Sequence, residues 1–168
     1  AFFAVIFAVP YLLIWGFQSK PLFYSENIFL RYLSLPVLIF LGIILHELVH
    51  GIFFAKYAEN GFRSVKFGVL WKALAPYAHC KEPLKIREYK IARVAPLVLV
   101  GILPALIGII FGNADFLILG IVLCAGAAGD LMIYNLIKKE NPEDYVQDHP
   151  SEAGYYIFRK KLQNHADL

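Results

Sequence analysis

Four long apolar blocks, separated by shorter polar stretches, dominate the pattern of this 168-residue chain. Each block approaches the roughly 20 apolar residues that a helix needs to cross the hydrocarbon core of a bilayer. The blocks predict transmembrane helices over about residues 1–17, 36–57, 91–111 and 115–137. Because little sequence remains outside them, we expect a single membrane-embedded domain over residues 1–168.

The polar segment between the second and third blocks is predicted to form a β-hairpin. From Val65 to Trp71, apolar residues mostly alternate with other side chains, and such a two-residue period is typical of a strand. One side of this strand consists of Val65, Phe67 and Val69. Residues 76–80 predict a second strand after a turn. We therefore expect an all-α polytopic membrane protein of about four transmembrane helices, with a small β-hairpin between the second and third.

The polar tail, residues 138–168, is predicted to contain one short helix. Residues 151–162 carry Tyr155, Tyr156 and Phe158 among charged side chains. Because amphipathic helices with aromatic residues lie in the interface plane of a membrane, we expect this segment to lie on the bilayer surface.

Composition supports a membrane protein and excludes two other classes. Hydrophobic residues make up 59% of the chain and charged residues 17%, whereas a typical soluble domain has about 25% charged residues. The formal net charge of +3 is too small to indicate a nucleic-acid partner. The two cysteines, Cys80 and Cys124, lie in a polar loop and an apolar block and indicate no disulfide framework.

The basic residues predict the orientation of the helices. Nine lie from Lys56 to Arg93 and five in the tail, whereas the loop between the first two blocks has two and the loop between the last two has none. Because loops rich in lysine and arginine stay in the cytoplasm, we expect the 58–90 loop, the 138–168 tail and both termini on that side.

His46, Glu47 and His50 form an H-E-x-x-H motif inside the second apolar block. Positions four apart share one face of a helix, so both histidines can bind one zinc ion. Glu47 lies beside them and can take a proton from a zinc-bound water as general base, then return it to a leaving amine. The alternative is two core histidines and an unrelated glutamate. Three ionisable groups within five residues of a span are costly, however, and indicate function.

A third zinc ligand is expected, because catalytic zinc sites usually have three protein ligands and one open position. Asp130 lies seven residues before the predicted end of the fourth block, as His50 does in the second block. At 1.5 Å per residue, both groups lie roughly 10 Å below the same membrane surface. Gly126 and Gly129, just before Asp130, also permit the close approach of another helix.

Two alternatives remain open for this third position. Asp130 can instead bond to Tyr134 one turn later, or to Asn135, because a lone carboxylate in a span needs a partner. His79, next to Cys80 in the polar loop, is the rival third ligand, although this spacing is not diagnostic of a zinc site. Asp130 is the favoured ligand of the two.

A metal motif in an early transmembrane helix and an aspartate in a later one resemble the site-2 protease class of intramembrane zinc metalloproteases. More narrowly, the chain resembles a compact bacterial family of zincin peptidases. The resemblance covers about residues 36–138 and rests on the H-E-x-x-H motif, on Ala95-Pro96 in the third block and on Gly129-Asp130.

This resemblance implies a function and a set of ligands. His46, His50 and Asp130 would bind Zn²⁺, and Glu47 would be the catalytic base. The substrate would be a membrane protein cut within or near a transmembrane segment, and the enzyme an integral protein of a prokaryotic cell membrane. The chain departs from typical site-2 proteases at Leu131, where those enzymes carry glycine after the aspartate.

The predicted hairpin offers a way to bind such a substrate. A helical substrate hides its carbonyl groups in its own hydrogen bonds and must unwind before water attacks them. The strand with Val65, Phe67 and Val69 can accept the unwound segment as an additional strand. The alternative is a hairpin that only covers the helix bundle.

Two other functions compete with the peptidase. A zinc-binding membrane protein without activity, such as a sensor or a degenerate zincin, would have no use for Glu47. A transporter-like bundle would use the same polar residues as a relay, but four spans without an evident repeat are few for a single-chain transporter. The expected partners are therefore the lipid bilayer and a membrane protein substrate, and the expected cofactor is Zn²⁺.

Overall fold

Apolar helices form the bulk of the structure, a computed structural model that describes residues 1–19, 28–71, 75–149 and 154–159. The helices are α1 (Phe2–Trp15), α2 (Ile28–Tyr57), α3 (Ile86–Pro96), α4 (Leu103–Phe111), α5 (Ala114–Gly126) and α6 (Ala128–Ile137). A 3₁₀ turn, Gly61–Ser64, follows α2, and a π-helical segment, Leu97–Ile102, joins α3 to α4. The strands are β1 (Val65–Leu70), β2 (Ala75–Cys80), β3 (Leu84–Lys85), β4 (Tyr145–Asp148) and β5 (Tyr155–Phe158).

Two helical segments are long and apolar enough to cross a membrane, Tyr32–Tyr57 in α2 and the continuous run Ile86–Phe111 through α3 and α4. The pair of α5 and α6 reaches this length only as one span, bent by 43° at Ala127. Helix α1 has 14 residues, which at 1.5 Å per residue is about 21 Å and shorter than the roughly 30 Å hydrocarbon core. By length and composition, the structure therefore supports two or three of the four predicted spans.

Pro96 and Pro104 lie on either side of the π-helical segment. Proline has no N–H to donate to the carbonyl four residues earlier, so each proline frees one carbonyl inside the helix. The N–H of Leu103 reaches back five residues to the Val98 carbonyl, which is the wider spacing of a π-helix. The prolines thus change the hydrogen bonding of this long helix without ending it.

The predicted hairpin is confirmed. Strands β1 and β2 pair antiparallel, with Val65 opposite Cys80 and Phe67 opposite Ala78. The hairpin packs against α2 next to the H-E-x-x-H motif, since a Cβ atom added to Gly51 would overlap the ring of Phe67. Only a residue without a side chain at position 51 leaves room for this contact.

The tail contains strands instead of the predicted helix. Strand β4 pairs with β3 on one side and with β5 on the other. The prediction of a helix over residues 151–162 is therefore wrong over residues 154–159, which contain β5, and residues 151–153 and 160–162 lie outside the described residues. Tyr156 and Phe158 are exposed whereas Tyr155 and Ile157 are partly buried, which is the two-residue period of a strand. The partner strand β4 comes from an earlier part of the tail, so the pattern within 151–162 alone does not reveal the pairing.

A buried apolar cluster fixes the tail sheet to the helices. Phe54, Ile86, Ile137 and Val146 are fully buried in this cluster, and they come from α2, α3, α6 and β4. The tail strand β4 therefore shares one buried cluster with three helices, and it packs directly against α3.

Glycines that permit close helix packing lie away from the two that precede Asp130. A Cβ atom on Gly120 of α5 would collide with Ala105 of α4 and with the Gly101 carbonyl of the π-helical segment. At Gly126 and Gly129, by contrast, no described atom of another segment lies within 4 Å of an added Cβ. The predicted role of these two glycines in close packing is therefore wrong.

Candidate metal centre

The H-E-x-x-H motif lies in the C-terminal half of α2, where the helix places both histidines on one face. His46 and His50 are 8% and 2% exposed, and their rings meet edge to face with centroids 5.0 Å apart. The spacing of four residues on a regular helix produces this arrangement. Both imidazoles are therefore buried inside the helix bundle.

Asp130 joins the two histidines from the first turn of α6. Its Oδ2 atom lies 3.1 Å from Nε2 of His46 and 3.2 Å from Nε2 of His50. Of the described contacts of this carboxylate, none is to Tyr134 or Asn135, the alternative partners. The structure thus brings together the three residues that were predicted as zinc ligands.

A hydrogen bond fixes the tautomer of His50. Its Nδ1 atom lies 2.9 Å from the carbonyl oxygen of Ala92, and because a carbonyl only accepts, Nδ1 carries the hydrogen. In the neutral ring, Nε2 then has a lone pair, which faces the carboxylate oxygen of Asp130 at 3.2 Å. Two lone pairs at this distance repel each other unless a cation, either a proton or a metal ion, lies between them.

Pro96 explains why the Ala92 carbonyl is available to His50. In an α-helix this carbonyl would accept the N–H four residues later, which is the position of Pro96, and proline has no N–H. The next N–H, that of Leu97, donates to the Val94 carbonyl. Helix α3 therefore presents a free carbonyl to α2 at the level of the metal motif.

The spacing of the three donor atoms suits zinc. In tetrahedral sites zinc binds imidazole and carboxylate atoms at about 2.0–2.1 Å, so two ligand atoms lie about 3.3 Å apart. The distances of 3.1 and 3.2 Å from Asp130 to His46 and His50 are close to this value. One donor atom from each of the three residues lies within 4.8 Å of the others. This donor set therefore fits a zinc ion with three protein ligands.

Glu47 lies beside the three donors but is not one of them. Its half-buried carboxylate faces the backbone N–H of Ala78 in β2. Within the described ranges, the metal-binding group comprises His46, His50 and Asp130. Glu47 is therefore available to take up and release a proton between the metal motif and the hairpin.

His79, the alternative third ligand, lies apart from the three donors, on β2. Its Nδ1 atom is 3.8 Å from Oδ2 of Asp148 in β4. Burial lowers the pKa of His79, which favours the neutral imidazole. Burial also raises the pKa of the neighbouring Cys80 thiol to about 11. In the absence of a metal, Cys80 is therefore protonated near neutral pH, and it lies outside the group of three donors.

Arg93 of α3 also contacts this centre, although no motif marks it. Its Nη1 atom lies 3.2 Å from Oδ1 of Asp130, the oxygen that does not face the histidines. The same guanidinium contacts Tyr89 and Asp148. The presence of an arginine inside a predicted span is a signal that could have identified it, because intramembrane charges need partners and mark functional sites.

Two histidines on one helix, a carboxylate from another helix and an adjacent glutamate are typical of zincin-type zinc peptidases. The chain belongs to the family described as Putative zincin peptidase, whose model matches residues 38–145. The matched range includes the three donors and Glu47, and the family membership places the chain among zinc metallopeptidases. No curated protein and no solved structure gives a significant match to the chain.

Proposed function

We propose that the protein is a zinc-dependent intramembrane peptidase, related to site-2 proteases, that hydrolyses peptide bonds of membrane protein substrates. The observation that carries the proposal is the convergence of three metal-binding side chains, since Oδ2 of Asp130 lies 3.1 and 3.2 Å from the Nε2 atoms of His46 and His50, a spacing that fits a zinc ion. The two groups lie on the apolar helices α2 and α6. A substrate that is itself embedded in the membrane can reach this depth.

In this proposal His46, His50 and Asp130 hold the zinc ion, and Glu47 acts as the general base. When bound, zinc supplies the Lewis acidity that polarises water and the scissile carbonyl. Glu47 takes a proton from the attacking water as the new carbon–oxygen bond forms. The same carboxylic acid then gives this proton to the amine as the carbon–nitrogen bond breaks, so Glu47 ends the reaction ionised.

The proposed orientation places the hairpin, the tail and both termini in the cytoplasm. Phe54 near the end of α2, Ile86 at the start of α3 and Ile137 at the end of α6 share one buried cluster. The segments that carry most of the basic residues therefore leave the bundle on one side. Because the positive-inside rule assigns such a side to the cytoplasm, we propose that cleavage occurs near the cytoplasmic face of a prokaryotic cell membrane.

The hairpin has an outer edge that supports the proposed role of β1 in substrate binding. In an antiparallel pair, backbone groups point alternately towards and away from the partner strand. On β2 the N–H of Cys80 is directed to Asp148, away from β1. Its cross-strand partner Val65 therefore also directs its backbone groups outwards. The same holds at Phe67 and Val69, because the pattern repeats every two residues. An unwound substrate can add a strand at this edge.

Proline at position 69 tests strand addition. Val69→Pro removes an outward N–H of β1 and no hydrogen bond of the hairpin. We expect cleavage to fall about 2- to 10-fold, the effect of one backbone hydrogen bond, while the zinc content stays at the wild-type value. Val69→Ala is the control, because it shortens the side chain but keeps the N–H. Unchanged turnover in Val69→Pro, measured with reconstituted protein, would rule out this binding mode.

New peptide termini, produced by cleavage of membrane proteins, provide a test of the proposed function itself. Membranes from cells that express the wild-type protein would be compared by mass spectrometry with membranes that contain Glu47→Gln at the same level. We expect new peptide termini within or next to apolar segments with the wild type alone. Identical termini in both samples would contradict a peptidase, and new termini confined to soluble proteins would contradict an intramembrane substrate.

A further inference from the structure

We infer that Arg93 is a positioning residue for the metal ligand Asp130, and that Asp148 in the tail strand β4 holds Arg93 in place. The inference rests on the proposed metal centre. It goes beyond that centre because it makes the tail, which supplies none of the three donors, necessary for the alignment of one of them.

Asp130 uses its two carboxylate oxygens in different directions. Oδ2 faces Nε2 of both His46 and His50, and Oδ1 accepts a hydrogen bond from Nη1 of Arg93 at 3.2 Å. The bond on Oδ1 fixes the rotation of the carboxylate and leaves the other oxygen for the metal. Outer partners of this kind orient the ligands of zinc sites and tune their affinity.

Arg93 is held on several sides of its guanidinium. Nη2 and Nε donate to the Tyr89 hydroxyl at 2.6 and 2.9 Å, and Nη2 also donates to Oδ1 of Asp148. The guanidinium carbon lies 4.9 Å from the ring centre of Tyr89 and 5.5 Å from that of Phe54. These contacts keep Nη1 directed at Asp130.

Asp148 supplies a second negative charge for the same arginine. A buried guanidinium must be paired, and without Asp148 it would pair fully with Asp130, the carboxylate that the metal also requires. With Asp148 on its other side, Arg93 keeps a counter-ion when Asp130 binds the metal. Loss of the Asp148 charge is therefore expected to strengthen the competition of Arg93 for Asp130 and to weaken metal binding.

The fold, and not Arg93 alone, positions Asp148. Its Oδ2 atom accepts the N–H of Cys80 at 3.3 Å, and its Oδ1 atom accepts the hydroxyl of Tyr89. It ends strand β4, in which Val146 is fully buried against the helices. A side chain of the tail thus reaches the metal ligand through one intervening residue.

The inference is tested by the Zn²⁺ affinity of the Asp148→Asn variant. This affinity is measured by competition with a chelator in detergent-solubilised full-length protein. We expect the affinity to fall about 10- to 100-fold, the usual effect of losing an outer partner. The visible spectrum of the Co²⁺-loaded protein is expected to change as well, because it reports ligand geometry. Glu143→Gln is the matched control and is expected to change neither, since Glu143 pairs with Lys85 and Arg87 at the surface.

A double-mutant cycle with Arg93→Gln separates positioning from general damage. If Asp148 acts through Arg93, Asp148→Asn has no further effect on zinc affinity once Arg93 is glutamine. Arg93→Lys keeps the charge and is expected to retain more affinity than Arg93→Gln. Additive effects of the two substitutions would overturn the inference.

The outcomes also distinguish this inference from the proposed function. Wild-type protein that binds no zinc would overturn the metal centre. Zinc binding by the wild type with an unchanged affinity and Co²⁺ spectrum in Asp148→Asn would overturn only the roles of Arg93 and Asp148. Should Arg93→Gln fail to fold, Asp148→Asn decides the question alone.

Discussion

Asp130→Ala protein is expected to lose its zinc, with an affinity lowered by more than about 100-fold, the upper end for the loss of an outer partner. Asp130 is the one donor outside the H-E-x-x-H motif, and it faces both histidines at 3.1 and 3.2 Å. Without it, two histidines remain, fewer than the three protein ligands of a catalytic zinc site. Elemental analysis of detergent-purified protein, after saturation and removal of excess zinc, is expected to give about one zinc per wild-type chain and none in the variant.

Asp115→Asn is the control for this experiment, because Asp115 is a carboxylate at the other end of the same bent helix pair. It is expected to retain zinc. If Asp130→Ala also retained zinc, the third ligand would lie elsewhere, and His79 would be the first alternative to test. Wild-type protein without zinc, even after addition of the metal, would contradict the peptidase proposal as a whole.

Glu47→Gln is expected to keep its zinc but to lose activity by about 10²- to 10⁴-fold, the usual contribution of a general acid–base group. Glutamine has the size of glutamate and cannot take up the proton of the attacking water. Glu47 lies outside the group of three donors, so the metal content should not change. Both quantities can be measured on one preparation, with a substrate identified from the new membrane termini.

The matched control for Glu47 is Glu82→Gln. Glu82 lies in the loop after β2 and accepts hydrogen bonds from Ser64 and Asn60, away from the three donors. Its replacement is expected to leave both zinc content and rate unchanged. A rate for Glu47→Gln within a few-fold of wild type would exclude Glu47 as the base, whereas a loss of zinc would identify it as a ligand.

The parts of the site that depend on the regular residue spacing of one helix or one strand could be predicted from the sequence. Helical spacing places His46 and His50 on one face, and the alternation from Val65 to Trp71 predicts the first strand of the hairpin. The prediction of Asp130 as a ligand depends on membrane depth as well, because residues equally far from the cytoplasmic ends of their spans lie at the same depth. Depths in different helices can be compared in this way because all spans cross the same hydrocarbon core of the bilayer.

Contacts between distant segments could not be predicted in this way. Arg93 and Asp148 meet because β4 packs against α3, and no regular spacing in the sequence links the two positions. The bend at Ala127 was also missed. Gly126 and Gly129 flank this bend, and glycine weakens a helix. These two glycines therefore favour the break between α5 and α6 and do not serve close helix packing.

None of the three donors belongs to α3, yet this helix orients donors from two other helices. The carbonyl of Ala92 holds His50 of α2, and the side chain of the next residue, Arg93, holds Asp130 of α6. A turn of α3 by one residue, about 100°, would move both groups away together. The rotation of α3 about its own axis therefore determines the orientation of both His50 and Asp130. Any motion that turns α3 would misalign two ligands at once, and any contact that clamps α3 would preserve both.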